Sequence, residues 1–459
     1  MRLAVIVLAA GKGTRMKSDL PKVLHRTAGR SLLDWVLTAA GPLGADETVV
    51  VIGHGAEAVA DSLPDDAVGV VQEPQLGTGD AVRVGLAACQ RRPDTILVVP
   101  GDMPLLTAST LSSVVEAHHT GGAAATVLTV KMDDPTGYGR IERSGDRVIR
   151  IVEQRDTDER QRAIDEVNTS VYAFDAVLLA DSLGRLGTDN SQGEYYLTDV
   201  IGILNEDGHR VGAVVADVVE GAGVNSHRQL AAVGEVLRQR INDGLMADGV
   251  AMIDPTRVYI DAGVDVAPGT RIYPGVHLEG STTVGEGAEI GPDVHARNTA
   301  IAAGATVRYS VLDGATVGSD ATVGPFTYLR PGADLRDHSK AGAFVEIKNS
   351  QVGSGSKVPH LSYIGDTTIG EGTNIGAATV TVNYDGFEKH RTVIGDRVRI
   401  GSDTMLVAPV TIGDDAYTGA GSVITHDVPA GALAIERSLQ KEIPGYAERR
   451  KHRASQDGQ

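Results

Sequence analysis

Two groups of residues in this 459-residue chain have types and spacings suited to chemistry. The first opens with Leu8-Ala9-Ala10-Gly11-Lys12-Gly13-Thr14-Arg15-Met16, directly after an apolar run. Glycines at the carboxyl end of a strand let backbone N–H groups approach phosphate oxygens, and a following helix terminus adds positive potential. Lys12, Arg15 and, after Pro21, Lys22 bring cations to the same stretch. The spacing fits neither a Walker A loop, which needs Gly-Lys-Ser/Thr after four residues, nor the dinucleotide fingerprint, which needs a third glycine. A lone Gly-x-Gly also serves ordinary strand-to-helix turns. Asp102, in Pro100-Gly101-Asp102, follows another apolar run, at the rim where α/β sheets hold ligands. Taken alone, it reads equally as a turn or capping aspartate. The second group is Arg330, Glu346, Lys348, His360, Tyr363, Asn374, Asn383 and Tyr384, all within 55 residues.

These groups need scaffolds of different kinds. In residues 1–226, short β-branched runs at 3–9, 48–52, 68–72, 96–99 and 124–130 read as buried strands. Stretches of helical spacing at 32–40, 56–62, 79–88 and 110–117 alternate with them, which predicts a doubly wound α/β sheet. Residues 227–249 form an amphipathic connecting helix, with Leu230, Val233, Val236, Leu237, Ile241 and Leu245 on one face. From 250 the period becomes six: Val266, Ile272, Leu278, Val284, Ile290; then Val317, Val323, Leu329, Leu335; then Ile394, Ile400, Leu406, Ile412, Thr418, Ile424. A hexad with one inward aliphatic and turn glycines describes a parallel β-helix, three hexads to a coil and roughly ten coils in all. At the usual strand spacing such a prism is on the order of 45 Å long. The stacking of coils would bring the second polar group together. The hexad breaks at 336–345 and 381–392, where loops are expected to protrude, and residues 442–459 form a polar basic tail, expected to be mobile.

Composition narrows the field. Lys plus Arg is 42 and Asp plus Glu is 60, a formal charge of −18, which argues against nucleic-acid binding. A single cysteine, Cys89, excludes a disulfide framework and a multi-cysteine zinc site, and fits a reducing compartment. No run of about 18 apolar residues predicts a membrane span. The first ten residues lack a cleavage pattern, so the expectation is a cytoplasmic protein.

The longer pattern from Leu8 to Met16 with Pro21-Lys22 resembles the sugar-phosphate nucleotidyltransferases. Gln75-Leu76-Gly77-Thr78-Gly79-Asp80, Asp134-Pro135-Thr136-Gly137-Tyr138-Gly139-Arg140, Val167-Asn168-Thr169, Gly193-Glu194-Tyr195-Tyr196 and Gly223-Val224-Asn225 follow in order. With the hexads, they resemble the bacterial bifunctional family of N-acetylglucosamine-1-phosphate uridylyltransferases and glucosamine-1-phosphate N-acetyltransferases, over residues 1–441. The resemblance implies a Rossmann-like nucleotidyltransferase domain, a left-handed β-helix and a homotrimer. It also implies Mg²⁺ as cofactor, with UTP, N-acetylglucosamine-1-phosphate, glucosamine-1-phosphate and acetyl-CoA as substrates.

Roles follow from the same resemblance. Asp102 and Asn225 would hold Mg²⁺, a hard cation that takes one or two protein oxygens and keeps the rest of its shell for phosphate and water. Arg15 and Lys22 would clamp phosphates. Leu8, Ala9, Ala10, Gly11, Pro100 and Gly101 would frame the nucleotide, while Gln72 with Gly77 and Thr78 would read the uracil ring. Gly139, Glu153 and Asn168 would contact N-acetylglucosamine. In the second half, His360 would be the general base of an acyl transfer and Glu346 its orienting partner. Arg330 and Lys348 would take the sugar phosphate, with Tyr363, Asn374, Asn383 and Tyr384 positioning sugar and acetyl group. Ala377, Ser402, Ala420 and Arg437 would line acetyl-CoA. Ala378 departs from the family, which usually has glycine there. A single-function nucleotidyltransferase, its β-helix only regulatory or trimerising, is the competing reading.

Overall fold

The computed structural model describes residues 2–456. The chain divides into two compact units, Met1–Ile241 and Asn242–Gln459.

The first unit is built on a mixed sheet whose centre is the strand Leu3–Ala9. It pairs in parallel with Glu47–Ile52 on one side and Thr95–Pro100 on the other, and Ala67–Val71 extends the sheet beyond Glu47–Ile52. Alternation sorts these β-branched runs onto two buried faces. Ala4, Ile6, Val51, Ile96 and Val98 pack on one side, whereas Val5, Val7, Val50, Leu97 and Val99 pack on the other. Both faces are therefore covered, as a doubly wound sheet requires. The helix Leu32–Ala40 starts where expected: the Ser31 hydroxyl accepts from the Asp34 N–H at 3.0 Å, and Leu32, Leu33 and Val36 are buried.

Four further strands lie outside the sequence expectation. Glu166–Asp175 runs antiparallel between Thr95–Pro100 and Ala125–Lys131, Val211–Val215 flanks the latter, and Arg140–Ser144 pairs with Arg147–Val152 as a hairpin. The register of Glu166–Asp175 against Ala125–Lys131 shifts between Asn168 and Tyr172, where Ser170 has φ 63°. Such a bulge re-aims side chains at a sheet edge, and Asn168 and Ser170 both line the cavity described below.

The helix His227–Ala247 is continuous across the division. Val233 and Leu237 are buried with Leu32 and Leu105 of the first unit, and Arg240 donates to the Leu105 carbonyl at 2.8 Å.

The second unit is a three-sided parallel β-helix with sheets of 11, 10 and 9 strands. Every inward residue named by the hexad, from Val266 through Thr418 to Ile424, is buried. Most coils advance 16 to 18 residues, as from Arg271 to Glu289 and from Thr306 to Thr322. One advances 25, from Thr367 to Thr392. Its extra residues form a loop closed by a bridge between Tyr384 and Lys389, at the second hexad break. The first break does not protrude. Lys340–Ala343 stays in register with its neighbours, and Ala341 takes the inward place with no exposed surface. In the tail, Tyr446–Gln456 is a helix with no buried residue. No helix of the described residues is long and apolar enough to cross a membrane.

Candidate active sites

A cavity of about 1070 Å³ opens at the carboxyl ends of the central strands of the first unit. Leu8, Ala9, Ala10, Gly11 and Lys12 line it from the first strand's end, Gln72, Gly77 and Thr78 from the next loops, and Asp102, Asn168 and Asn225 from the far side. Backbone bonds explain the convergence. The Gly101 N–H donates to the Leu8 carbonyl at 2.9 Å, and the Val224 N–H donates to the Asp102 carbonyl at 2.9 Å. Asp102 and Asn225, far apart in sequence, are thereby tied side by side. The Lys22 ammonium sits between them, donating to the Asp102 carboxylate and, at 3.1 Å, to Asn225 Oδ1. Gly13, at φ 57°, makes room for it, since a Cβ there would lie 2.6 Å from Lys22 Cβ.

Behind this wall, Gly139, Glu153 and Asn168 form one patch. A Cβ on Gly139 would meet Asn168 Cβ and Glu153 Oε1, each at 3.6 Å, and the Asn168 N–H donates to the Gly139 carbonyl at 2.9 Å. Burial pushes the Glu153 carboxyl above its ordinary range, against the Thr198 hydroxyl bond, with help from Asp156 and Asp199.

In the β-helix, coil register builds two constellations. Tyr328, Glu346 and Tyr363 stack in one row, with Leu329, Ile347 and Ile364 beside them. Arg330 donates to Glu346 Oε1 at 2.8 Å. Asp366 gathers Asn349 at 2.6 Å, Asn383, and the Lys348 ammonium at 3.7 Å. Burial opposes the charge of Asp366, but the bonds from Asn349 and Asn383 and the charges of Lys348 and Lys389 hold its carboxyl below the ordinary range. Lys389, on the inserted loop, is held below the usual lysine range by its hydrogen bond with Lys348 and by that neighbour's charge. Gly365 leaves space where the Tyr363 hydroxyl and Asn383 Nδ2 approach, each under 3 Å from a Cβ placed there.

The second constellation is a column along one corner. The Ala378 N–H donates to the His360 carbonyl at 3.3 Å, and the Asp403 N–H to Ala377 at 2.7 Å. The Gly421 N–H donates to Ser402 at 2.9 Å, and Arg437 Nη1 to the Ala420 carbonyl at 2.8 Å. His360, Ala377, Ser402, Ala420 and Arg437 therefore follow one another coil by coil.

Residues 5–169 match the model of the MobA-like NTP transferase domain, and residues 391–426 that of the bacterial transferase hexapeptide. The relative from Streptomyces coelicolor, called bifunctional protein GlmU, is 53% identical over 455 residues, covering 98% of this chain and 94% of its own. Relatives of the same name from Corynebacterium efficiens and Mycolicibacterium vanbaalenii are 49% and 51% identical, each over 98% of this chain and 94% and 93% of their own. This chain belongs to the GlmU family. Its fold is accordingly a Rossmann-like NTP transferase domain followed by a left-handed β-helix of hexapeptide repeats.

Against the GlmU-family expectation, most named residues converge, but four differ. Arg15 is exposed on the short turn Thr14–Met16 and does not line the cavity. Glu346 is turned to Arg330 and makes no bond to His360, because it lies on a different side of the coil. The exposed His360 ring has no hydrogen-bonding partner among the described residues. Tyr384 is 56% exposed, its hydroxyl donating to the Gly386 carbonyl rather than to a site residue. Asn374 stacks on Lys357, three strand positions short of the His360 corner. Ala378 sits at φ 61°, in the left-handed region that favours the glycine usual in the GlmU family.

Sequence reading missed Tyr138, Ser170 and Glu194 as cavity residues, and Asn349, Asp366 and Lys389 around the second site. Tyr138 and Glu194 lay inside quoted motifs, yet their residue types gave no sign of a role. Burial, and then the Asp102 charge, push the Tyr138 hydroxyl above its ordinary range.

Proposed function

We propose that the chain acetylates glucosamine-1-phosphate with acetyl-CoA and then joins the product to UMP from UTP, giving UDP-N-acetylglucosamine and pyrophosphate. UDP-N-acetylglucosamine is a precursor for bacterial cell-wall synthesis, and we propose that the enzyme works in the cytoplasm. The observation that carries the reading is the pairing of a cation-holding cavity on one unit with a histidine-headed column on the other.

In the first reaction the glucosamine amine attacks the thioester carbonyl, the C–S bond breaks, and coenzyme A leaves as its thiol. His360 takes the amine proton, while Ala377, Ser402, Ala420 and Arg437 align the donor along the corner. Arg330, Lys348 and Lys389 offer a cationic patch to the sugar phosphate, and Asp366 orders it through Lys348, Asn349 and Asn383. Tyr363 and Asn383 border the sugar, with Asn374 and Tyr384 on the flanking coil and loop.

In the second reaction a sugar-phosphate oxygen attacks the α-phosphorus of UTP and the α–β phosphoanhydride bond breaks. The nucleophile is already ionised, so positioning and charge neutralisation supply the catalysis. Asp102 and Asn225 would hold Mg²⁺. Their oxygens fit a hard divalent cation, and the Lys22 ammonium already lies against both, marking a point of negative potential. The ion, when bound, neutralises phosphate charge. Lys22, with Lys12 at the loop, supports the triphosphate. Gln72 with Gly77 and Thr78 reads uracil, and Gly139, Glu153 and Asn168 contain the N-acetylglucosamine ring.

Incubation with acetyl-CoA and glucosamine-1-phosphate should release free thiol. No release would leave a nucleotidyltransferase with an inert β-helix. A chain ending after Ile241 should keep uridylyl transfer and lose acetyl transfer. A cut before His227 should lose both, because it removes Val233 and Leu237 from the first unit's core. Two such buried side chains are worth about 3–6 kcal/mol.

The working assembly we propose is a homotrimer. The β-helix exposes an apolar groove of about 560 Å³ lined by His277, Tyr309, Val311, Phe326 and Tyr328. Tyr309, Phe326 and Phe344 form an exposed aromatic ladder beside it, with ring centroids 5.9 and 5.2 Å apart. Further copies of the chain are the occupant we assign to this face, since His360 and Arg437 lack covering neighbours within one chain. Sedimentation should give a mass near three times 47.9 kDa, and a mass of a single chain would overturn the assignment.

A further inference from the structure

Gln72 is buried just beyond the strand Ala67–Val71 and lines the nucleotide cavity. A glutamine amide is two-faced: its NH₂ donates and its oxygen accepts, and either end can be turned to a ligand. In this chain the choice is made by neighbours. Gln72 Nε2 donates to Asp80 Oδ2 at 2.7 Å and to the Gly77 carbonyl at 3.0 Å. Both neighbours present acceptors, so only the NH₂ end can face them. Oε1 is left as the remaining polar atom, with no donor among the described residues.

Asp80 is itself held. It is buried in the first turn of the helix Thr78–Ala88, and its other oxygen accepts from Arg83 one turn on. The Arg83 guanidinium lies 5.3 Å from the centre of the Tyr195 ring, and the Tyr195 carbonyl accepts from the Gly79 N–H at 2.8 Å. Asp80 is thus fixed from the helix, from Arg83 and through the Tyr195 segment.

We propose that Asp80 is the positioning residue that makes this cavity accept uracil and refuse cytosine. The inference rests on Gln72 reading the base. Uracil presents an N3–H donor between two carbonyl acceptors, which suits a fixed glutamine oxygen. Cytosine has a bare acceptor at N3, so a Gln72 oxygen held in place meets it acceptor to acceptor. Sites that read a donor by hydrogen bonding reject analogues lacking it far more strongly than sites reading shape alone. Asp80 touches no substrate and acts only through the orientation of Gln72.

The test compares kcat/KM for UTP and CTP in the intact enzyme. Asp80→Asn turns a donor toward Gln72 while Arg83 keeps the amide oxygen, so the Gln72 NH₂ is left with the Gly77 carbonyl alone and its orientation is no longer fixed. The UTP/CTP ratio should fall roughly tenfold to a hundredfold, the scale of one mismatched buried hydrogen bond. Arg83→Met, on the half-exposed side of the helix, loosens Asp80 without removing it and should lower the ratio in the same direction but less. Turnover with either nucleotide shows that the domain is folded. Gln72→Ala separates the two layers of the argument. A ratio that falls in Gln72→Ala but stays within about threefold of wild type in both other variants overturns the role of Asp80 alone. A ratio unchanged in all three overturns base reading by Gln72, and the proposal with it.

Discussion

Asp102→Ala is expected to abolish uridylyl transfer and to leave acetyl transfer near wild type. The carboxylate is one of two oxygen donors at the point where the cavity already gathers a cation, the Lys22 ammonium. Its loss would remove a metal ligand and leave Lys22 without its anionic partner. Several kcal/mol of transition-state stabilisation should go with it, on the order of a thousandfold in rate. Asn225→Ala should act in the same direction but less, because a neutral amide oxygen contributes less to holding a divalent cation. Saturating Mg²⁺ does not rescue a missing ligand that also orients the phosphates. Uridylyl transfer within about threefold of wild type at saturating Mg²⁺ would therefore remove Asp102 from the metal site. Acetyl transfer serves as the internal control, since every residue assigned to it lies from Arg330 onward.

The two halves were legible to different degrees, for physical reasons. A hexad repeat leaves one inward place per six residues, and burial enforces it. Reading Val266, Ile272 and Leu278 as inward fixed the coil and, with it, which distant residues are neighbours. The stacking of Ala420 on Ser402, one regular coil apart, follows from that period, whereas Ala377 and Ser402 are separated by the coil that advances 25 residues. What the period cannot give is the direction of a polar side chain at a corner. Glu346 turned to Arg330, its neighbour across one coil, and not to His360 around the corner. Lys389 meets Lys348 through an inserted loop whose path no hexad encodes. The α/β half showed its parallel strands as β-branched runs, but Glu166–Asp175 escaped notice. Its polar Glu166, Asn168, Thr169 and Ser170 mask the apolar pattern, although Glu166, Asn168 and Thr169 are buried. The bulge at Ser170 that brings Asn168 to the cavity is a register event, visible only once the partner strand is known. Ala341 shows the converse: a small residue broke the aliphatic pattern without breaking the coil.

His360→Ala should remove most acetyl transfer and spare uridylyl transfer. Glucosamine-1-phosphate carries an ammonium group, which has no lone pair until a proton leaves. A positioned base commonly contributes about a hundredfold to ten-thousandfold, so kcat should fall on that scale. Acetyl-CoA binding should persist, for two structural reasons. Ala377, Ser402, Ala420 and Arg437 are untouched, and the substitution keeps the His360 carbonyl that receives the Ala378 N–H, so the column stays in register. Raising the pH should partly rescue the variant, because more of the amine is then already neutral. Glu346→Gln offers a contrast. Since Glu346 holds Arg330 rather than the histidine, its loss should raise KM for glucosamine-1-phosphate more than it lowers kcat. A His360→Ala enzyme that keeps its kcat but loses affinity for acetyl-CoA would make the histidine a binding group, and the proton would have to leave through another residue.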